Sequence, residues 1–296
     1  MHKSVLLKET IGGLNIKAGD IFFDGTVGSG GHDLYVCEHF GKSVKIIGID
    51  QDKDALKRAT ERLVDKKCDI TYRVNNFRNI KDELESLNIN QVNKIMLDLG
   101  LSSEQLESSG RGFSFMRDEP LLMTMVKDSD TSTLTARDIV NTWSEEMLHN
   151  IISGFGEERY AKRIARKITE SRKRRKIDTT WQLVEIIRQA VPISYQHNRL
   201  HFATKTFQAL RIAVNDEINS LKEFLQNGFE YLAREGRMAI ICFHSIEDRM
   251  VKNFNREKQK TGQAKIITKK PIIPSFDEIK NNPRSRSAKL RILEKL

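Results

Sequence analysis

Asp24-Gly25-Thr26-Val27-Gly28-Ser29-Gly30-Gly31-His32 follows directly on the apolar run Ile21-Phe22-Phe23. A short buried strand that ends in a glycine-dense turn and opens a helix predicts an α/β fold whose main chain comes close to a nucleotide-like ligand. Glycine permits positive φ and leaves no Cβ between the N–H groups and what they bind. Outward from this turn the pattern alternates. Residues 21–24 read as a strand, 31–40 as a helix, 45–50 as a strand, and 54–66 as a helix with Ala55, Ala59 and Leu63 on one face. Strand 70–74, helix 80–87 and strand 94–99 follow. Such alternation implies parallel strands joined by right-handed crossovers. Asp50 closes the second strand and Asp98 the fourth. A ligand lying across the carboxyl ends of the strands would therefore meet Asp24, Asp50 and Asp98 together.

The glycines do not by themselves name that ligand. A dinucleotide fingerprint places its third glycine three residues after the second; after Gly28 and Gly30 that place holds Asp33. An acid at the second strand end accepts two ribose hydroxyls, and one at the fourth holds an adenine edge or an amino group. With a further acid before the glycines, the set fits S-adenosylmethionine better than a nicotinamide dinucleotide. The competing reading is a generic phosphate-binding turn, or glycines present only for tight packing.

At 296 residues the chain is long enough for one large α/β core, or for a core with a smaller second unit. A content of 39% hydrophobic and 30% charged residues fits a soluble globular protein. No apolar run reaches the length of a membrane span, and residues 1–9 carry an acid and no signal-peptide core, so a cytoplasmic protein is expected. Cys37, Cys68 and Cys242 lie far apart with no Cys-x-x-Cys pair. That argues against a zinc site and against a disulfide framework, and predicts buried small apolar side chains; no metal is expected. The 50 Lys and Arg against 40 Asp and Glu give a formal charge of +10, which points to a polyanionic partner. The imbalance concentrates between Arg159 and Lys176 and in the last third of the chain.

The alternation stops after Leu99. Residues 100–130 are loop-like, and from Thr135 to Val191 the signals are helical. Thr135 is placed as an N-cap, Ser144 lacks a full capping box because Met147 stands where Glu is wanted, and a helix over 180–190 is closed by Pro192. A single long amphipathic helix is predicted over 207–225, then a turn at Gly236, a strand over 237–243, and extended runs 264–268 and 288–292 pairing as an antiparallel edge hairpin. The organisation expected is a discontinuous α/β domain, 1–103 plus 207–296, interrupted by a helical insertion over 104–206.

Asp98-Leu99-Gly100-Leu101-Ser102-Ser103 occupies the fourth strand end, where such sheets place their chemistry. Methyltransferases acting on an amino group often carry here an acid or amide, two prolines and an aromatic. An exocyclic amine is a poor nucleophile until acceptors hold its N–H groups. This chain keeps the acid alone, so a base would stack on Phe113, Phe115 or Phe243, each of which ordinary core packing also explains. Gln105 is placed to reach a cofactor or base and Phe77 to cover an adenine ring, though each reads equally well as a structural loop residue. His32 is placed to meet a cofactor carboxylate or simply to cap the turn. Phe243-His244-Ser245-Ile246-Glu247-Asp248-Arg249 invites a hydrolase reading. Ser245 lacks a Gly-x-Ser-x-Gly elbow, so substrate binding or proton handling is preferred for His244. In 159–168, Tyr160, Ala161, Ile164, Ala165 and Ile168 form an apolar stripe opposite Lys162, Arg163, Arg166 and Lys167. Arg172-Lys173-Arg174-Arg175-Lys176 extends the positive surface. A charge run is usually a solvated face, but the scarcity of acids favours nucleic acid here. RNA is favoured over duplex DNA, because no helix-turn-helix or zinc-finger spacing is present and a base must leave its stack to be modified.

These blocks, together with Ser4-Val5-Leu6-Leu7-Lys8-Glu9, Arg111-Gly112-Phe113-Ser114-Phe115, Gly156-Glu157-Glu158-Arg159, Asn215-Asp216-Glu217 and Arg286-Ser287-Ala288-Lys289-Leu290-Arg291, run nearly end to end. In them the chain resembles the bacterial family that methylates the exocyclic N4 of a cytidine in 16S ribosomal RNA. The resemblance implies a Rossmann-like class I S-adenosylmethionine-dependent methyltransferase sheet with an inserted helical domain that helps recognise RNA. It implies cofactor contacts to Gly30, Gly31, His32, Asp50, Phe77, Asp98 and Gln105, and a target in the decoding region of the small ribosomal subunit. Asp98 with Ser102, and secondarily His244, are expected at the substrate edge, and Lys162, Arg163, Arg166, Lys167, Arg174 and Arg175 on the RNA. There are departures. The family's Pro-Leu-Asp-Met-Arg-Met is here Pro120-Leu121-Leu122-Met123-Thr124-Met125, and its His-Pro-Ala-Thr-Arg-Thr is His201-Phe202-Ala203-Thr204-Lys205-Thr206, where lysine lacks arginine's fork. They leave open a catalytically weak RNA-binding assembly factor, or an amino-methyltransferase with another substrate.

Overall fold

A computed structural model describes residues 4–126 and 133–296; the end of the loop-like stretch expected to Asp130 lies outside the described residues. The chain forms two compact units, Met1–Gly100 with Ile218–Leu296, and Leu101–Glu217. The first begins α1 (Leu7–Leu14), β1 (Ile21–Asp24), α2 (Gly31–Phe40), β2 (Lys45–Asp50), α3 (Lys53–Leu63), β3 (Asp69–Val74), α4 (Ile80–Ser86) and β4 (Val92–Asp98). The second holds α5 (Ser103–Glu107), α6 (Ala136–Thr142), α7 (Glu145–Gly154), α8 (Ala161–Arg172), α9 (Thr180–Ala190), α10 (Ile193–Gln196) and α11 (Thr204–Asn215). The first unit resumes with α12 (Glu217–Tyr231, less its first residue), β5 (Leu232–Cys242), α13 (Ser245–Lys260), β6 (Ala264–Ile266), α14 (Phe276–Asn281) and β7 (Lys289–Lys295).

The sheet order is β3-β2-β1-β4-β5-β7-β6. The first five strands are parallel, and β7 runs antiparallel between β5 and β6. Strands covered on both faces need apolar residues without alternation, and Phe22-Phe23, Ile46-Ile47 and Met96-Leu97 supply them. Successive side chains leave a strand on opposite faces. Phe22, Ile46 and Met96 accordingly join Ile11, Leu14 and Val36 on one face, and Phe23, Ile47 and Leu97 join Leu84, Phe224 and Val251 on the other. The reversal to β1-β4 beside β1-β2 puts the ends of β1, β2 and β4 around one crevice.

Three sequence expectations need correction. The single helix over 207–225 is two helices, because Asp216 takes a left-handed φ of 49°. The break is held by Asn215, whose amide donates to Met123 O and accepts from Met125 N, both at 2.8 Å, and by paired Arg211–Glu217 bonds of 2.8 Å. The turn at Gly236 lies inside β5, as an irregularity where the register jumps from Val92↔Leu232 to Lys94↔Arg237. The cysteines are not all apolar filler: Cys37, near the end of α2, is disulfide-bonded to Cys68, just before β3, with Cα atoms 5.7 Å apart, inside the span a bridge requires. Sequence separation hid the pair; the crossover brings them together. Cys242 alone is a free, buried thiol. Of the predicted edge hairpin the antiparallel pairing is found, as β6 with the end of β7 (Ala264↔Lys295 to Ile266↔Leu293), but β7 lies inside the sheet between β5 and β6 and α14 separates the two strands in sequence.

The second unit has its own core. Ile139, Val140, Leu148, Ile152, Ile164, Ile168, Leu183, Ile187 and Leu210 are buried together in it, and α11 packs there through Phe207, Ala209 and Leu210. Thr135 makes the capping box with Asp138, and Ser144 caps through Met147 N alone.

Candidate functional site

Four acids gather at the carboxyl ends of the first unit's parallel strands. Asp24, the last residue of β1, is 1% exposed and accepts from Thr26 N at 2.8 Å. Thr26 Oγ1 in turn accepts from Asp98 N at 2.6 Å, tying the end of β1 to the end of β4. Asp50, at the end of β2, accepts from Gly28 N at 2.8 Å and Asp52 N at 2.9 Å, which fixes the glycine turn against the second strand. Asp33, in the first turn of α2, is fully buried and accepts from Tyr72 Oη at 2.7 Å. Asp98 keeps its Oδ1 shut away from water with no hydrogen-bond partner.

Burial sets the electrostatics. Loss of water raises the Asp98 carboxyl to about 8, with the charges of Glu247 and Glu278 adding to it. Burial likewise raises Asp50 to about 6, against the opposing pull of its backbone N–H donors. Asp33 is raised to about 6 by burial, against hydrogen bonds from Tyr72 and Asp24. Burial, followed by the charge of Asp33, drives Asp24 well above the carboxylate range. A buried carboxyl oxygen without a donor costs free energy unless a cation or N–H arrives to meet it. The crevice is therefore built to receive positive charge.

The glycines divide by role. A Cβ on Gly30 would stand 3.0 Å from both Ala59 Cβ and Leu63 Cδ1, at a φ of +71°. One on Gly31 would stand 1.9 Å from Ser4 Oγ. Their missing side chains are thus used for packing, which leaves only their main chain for a ligand. Gly28, at φ +53° and with no neighbour closer than its own turn, is the open position. His32 is buried and its Nε2 lies 3.3 Å from Val5 O, so the ring secures the N-terminal segment. Phe77 stands at the end of β3, edge-on to Phe224 at 5.5 Å, and lies close behind Gly25.

His244 is the N-cap of α13. Its Nδ1 accepts from Glu247 N at 3.4 Å, its Nε2 lies 3.1 Å from Glu247 Oε1, and Glu247 Oε2 accepts from Phe243 N at 2.8 Å. Asp248 is committed elsewhere, to Arg291 at 2.6 Å and Lys289 at 3.0 Å, and these cations hold its carboxyl low against the effect of burial. The imidazole thus faces Glu247 and is engaged in capping α13.

In the second unit, Ser102 and Gln105 satisfy one another as the capping box of α5, at 2.9 and 3.1 Å. Of the stacking candidates there, Phe113 is 6% exposed and belongs to the core, while Phe115 stacks on His201 at 4.4 Å. The 120–125 segment that departs from the family pattern is held through its own main chain by Arg111 and Asn215: Met123 N donates to Arg111 O, Arg111 Nη1 donates to the carbonyls of Thr124 and Met125, and the Asn215 amide bonds Met123 O and Met125 N. None of those bonds needs the missing acid or arginine. On α8, Lys162, Arg163 and Arg166 are exposed opposite the buried Ala161, Ile164, Ala165 and Ile168, and Arg174 and Arg175 are exposed beyond it. Arg166 is partly engaged, 3.0 Å from Glu170, and Lys167 is half-buried.

Asp33 with Tyr72, Thr26 and Glu247 were missed as site residues. The first had a signal, an acid where the hydrophobic pattern of α2 asks for an apolar residue. Thr26 works by tying two strand ends together, and Glu247 by capping α13 and by its charge near Asp98, none of which sequence displays.

Residues 1–296 match the profile of the MraW methylase family. A protein of Clostridium botulinum (strain Kyoto / Type A2) named ribosomal RNA small subunit methyltransferase H is 45% identical over 310 residues, covering 100% of this chain and 99% of its own length. Its namesake in Clostridium botulinum (strain 657 / Type Ba4) is 44% identical with the same coverage. A solved rRNA methylase from Streptococcus thermophilus has a TM-score of 0.46 at 10% identity, covering 100% of this chain and 99% of that one. Among the described residues no helix is long and apolar enough to cross a membrane.

Proposed function

We propose that this chain, which belongs to the MraW methylase family, methylates the exocyclic N4 of a cytidine in the decoding region of 16S ribosomal RNA. It is an S-adenosylmethionine-dependent methyltransferase; the ribosomal substrate is supported by the names of its relatives and by the exposed cations of α8 and the loop after it. The single observation that carries the chemistry is the orphaned Asp98 oxygen at the end of β4, among three further acids. When bound, S-adenosylmethionine supplies an electrophilic methyl on a sulfonium centre, and its net positive charge suits that cluster. Asp50 and the main chain at Gly28 would hold its ribose side, and Phe77 would cover the adenine.

For the substrate, Asp98 Oδ1 is the acceptor that matters. An N–H of the cytosine amine bonded to an ionised carboxylate keeps the nitrogen lone pair available, and the shed proton has an adjacent base whose affinity burial has already raised. Positioning supplies most of the remaining rate. His244, locked against Glu247, positions the start of α13. Ser102 shapes the entry to α5 through its cap.

Cation binding to raised carboxyls releases protons. Asp98 and Asp50, raised to about 8 and about 6, are partly protonated in the donor-free protein near neutrality. The ionised forms bind a cation better, so donor affinity is expected to rise from pH 6 to 8, by up to about tenfold per pH unit. Calorimetry in buffers of different ionisation enthalpy checks this as net proton release near pH 7; proton uptake would refute the assignment.

The substrate is tested by incubating the chain with labelled S-adenosylmethionine and small-subunit ribosomal RNA, naked and in subunits, then digesting to nucleosides. N4-methylcytidine is the expected product. Label on another base, or on DNA or protein supplied in parallel, would replace the proposed substrate. Salt-sensitive RNA binding without turnover would favour the assembly-factor reading.

A further inference from the structure

We propose that a cavity of about 270 Å³ at the carboxyl end of β5 holds one nucleotide of the RNA strand, adjacent to the nucleotide that is methylated. The proposal rests on the RNA reading above and adds to it a second subsite. The cavity lies wholly within the first unit. Its apolar lining comes from Phe243, Ile273, Pro274 and Ile279. Phe243 is itself backed by Gly100, where an added Cβ would stand 3.3 Å from the ring. His244, Ser245, Arg286, Ser287 and Lys289 supply the polar lining, and no acid lines it among the described residues.

Size and chemistry narrow the occupant. Small-molecule sites usually run from about 300 to 1,000 Å³, so this one takes a single nucleotide and not an extended cofactor. A planar apolar body with an anionic end matches a base against Phe243 and a phosphate on the two cations. Lys289 is held 3.0 Å from Asp248, which fixes the ammonium while offsetting part of its charge. Arg286 is exposed and has no ion pair among the described residues, which makes it the principal phosphate anchor. Ile273, 65% exposed, is an apolar surface that a bound base would cover.

Position distinguishes a neighbouring nucleotide from the reacting one. Asp98 pairs in register with Ile241 of β5, and Leu99 N bonds to Ile241 O. The cavity opens two residues further along, bounded by the Ala288 and Lys289 start of β7, so it lies to the far side of β5 from Asp98. With strands about 4.8 Å apart, the start of β7 lies two spacings, about 10 Å, from the end of β4, a displacement suited to the next nucleotide of an extended strand.

The test uses the full chain with a short single-stranded RNA carrying 4-thiouridine on either side of the target cytidine. Photo-crosslinking is expected to map to Phe243 or to the segment containing Ile273. Arg286→Ala, an exposed position, is expected to raise KM for RNA about tenfold with an unchanged melting temperature, and Ile273→Ser about fivefold. Wild-type methyl transfer with unaltered KM in both variants and crosslinks elsewhere would overturn the subsite and leave the RNA reading standing. No transfer to RNA by the wild type would overturn that reading and the subsite with it. Free cytidine monophosphate displacing the crosslink as effectively as the RNA would overturn it in favour of a free-nucleotide site.

Discussion

Replacing Asp98 by Asn is expected to lower kcat/KM for methyl transfer at least 100-fold and, at the same time, to raise the thermal stability of the donor-free protein at alkaline pH. The two effects share one cause. Asp98 ends β4 with a buried oxygen that nothing satisfies, and burial raises its carboxyl to about 8 from an ordinary 3.8. A carboxyl raised in the folded state adds stability below about pH 4 that is lost as pH climbs through about 8. Above that pH the wild type carries an ionised group in the wrong medium. Asparagine keeps the shape and removes the charge, so the gain at pH 8.5 is about 2 kcal/mol, discounted because the residue keeps some contact with water. The catalytic loss follows because a neutral amide neither attracts the cationic donor nor draws an amine proton. Calorimetric melts at pH 5.5 and 8.5, beside initial rates, check both halves. A variant that transfers methyl at the wild-type rate would remove Asp98 from the chemistry; one with no gain at pH 8.5 would mean the carboxyl is well solvated.

The second large effect concerns the helical unit. Changing Lys162, Arg163, Arg174 and Arg175 together to Ala is expected to weaken RNA binding about 100-fold at moderate salt and to flatten the dependence of log affinity on log salt by about 3. All four are exposed, whereas the apolar stripe of α8 that holds the helix is untouched, so folding and donor affinity should not change. Filter binding over a salt series, with donor calorimetry as control, measures it. An unchanged slope would show that the cations form an ordinary solvated face.

The legibility of the chain followed the kind of interaction involved. Periodicity and a glycine-rich turn are local, and β1, α2, β2 and α9 lie where the residues put them. Asp24, Asp50 and Asp98 could be placed on one edge because topology alone brings strand ends together. What sequence concealed was long-range or angular. The break at Asp216 depends on Asn215 reaching a loop some ninety residues away, and the Cys37–Cys68 bridge spans a crossover. Gly30 and Gly31 illustrate the subtler limit. Their presence was plain, but whether the space at each Cα serves a ligand or a neighbour depends on Ala59, Leu63 and Ser4. Likewise Ser102 and His244 read as catalytic groups and Gln105 as a cofactor contact, and each is engaged in starting a helix.

The place of β7 has a bearing on how the molecule is made. It is the last strand in chain order, yet it lies inside the sheet, paired to β5 on one side and β6 on the other. During vectorial synthesis β5 therefore waits with a bare edge, and β6 has no partner at all, until residues 289–295 have left the ribosome. An unpaired edge invites foreign strands. A chain cut before Lys289 is therefore expected to aggregate more readily than the full one, as light scattering of the two at equal concentration would measure.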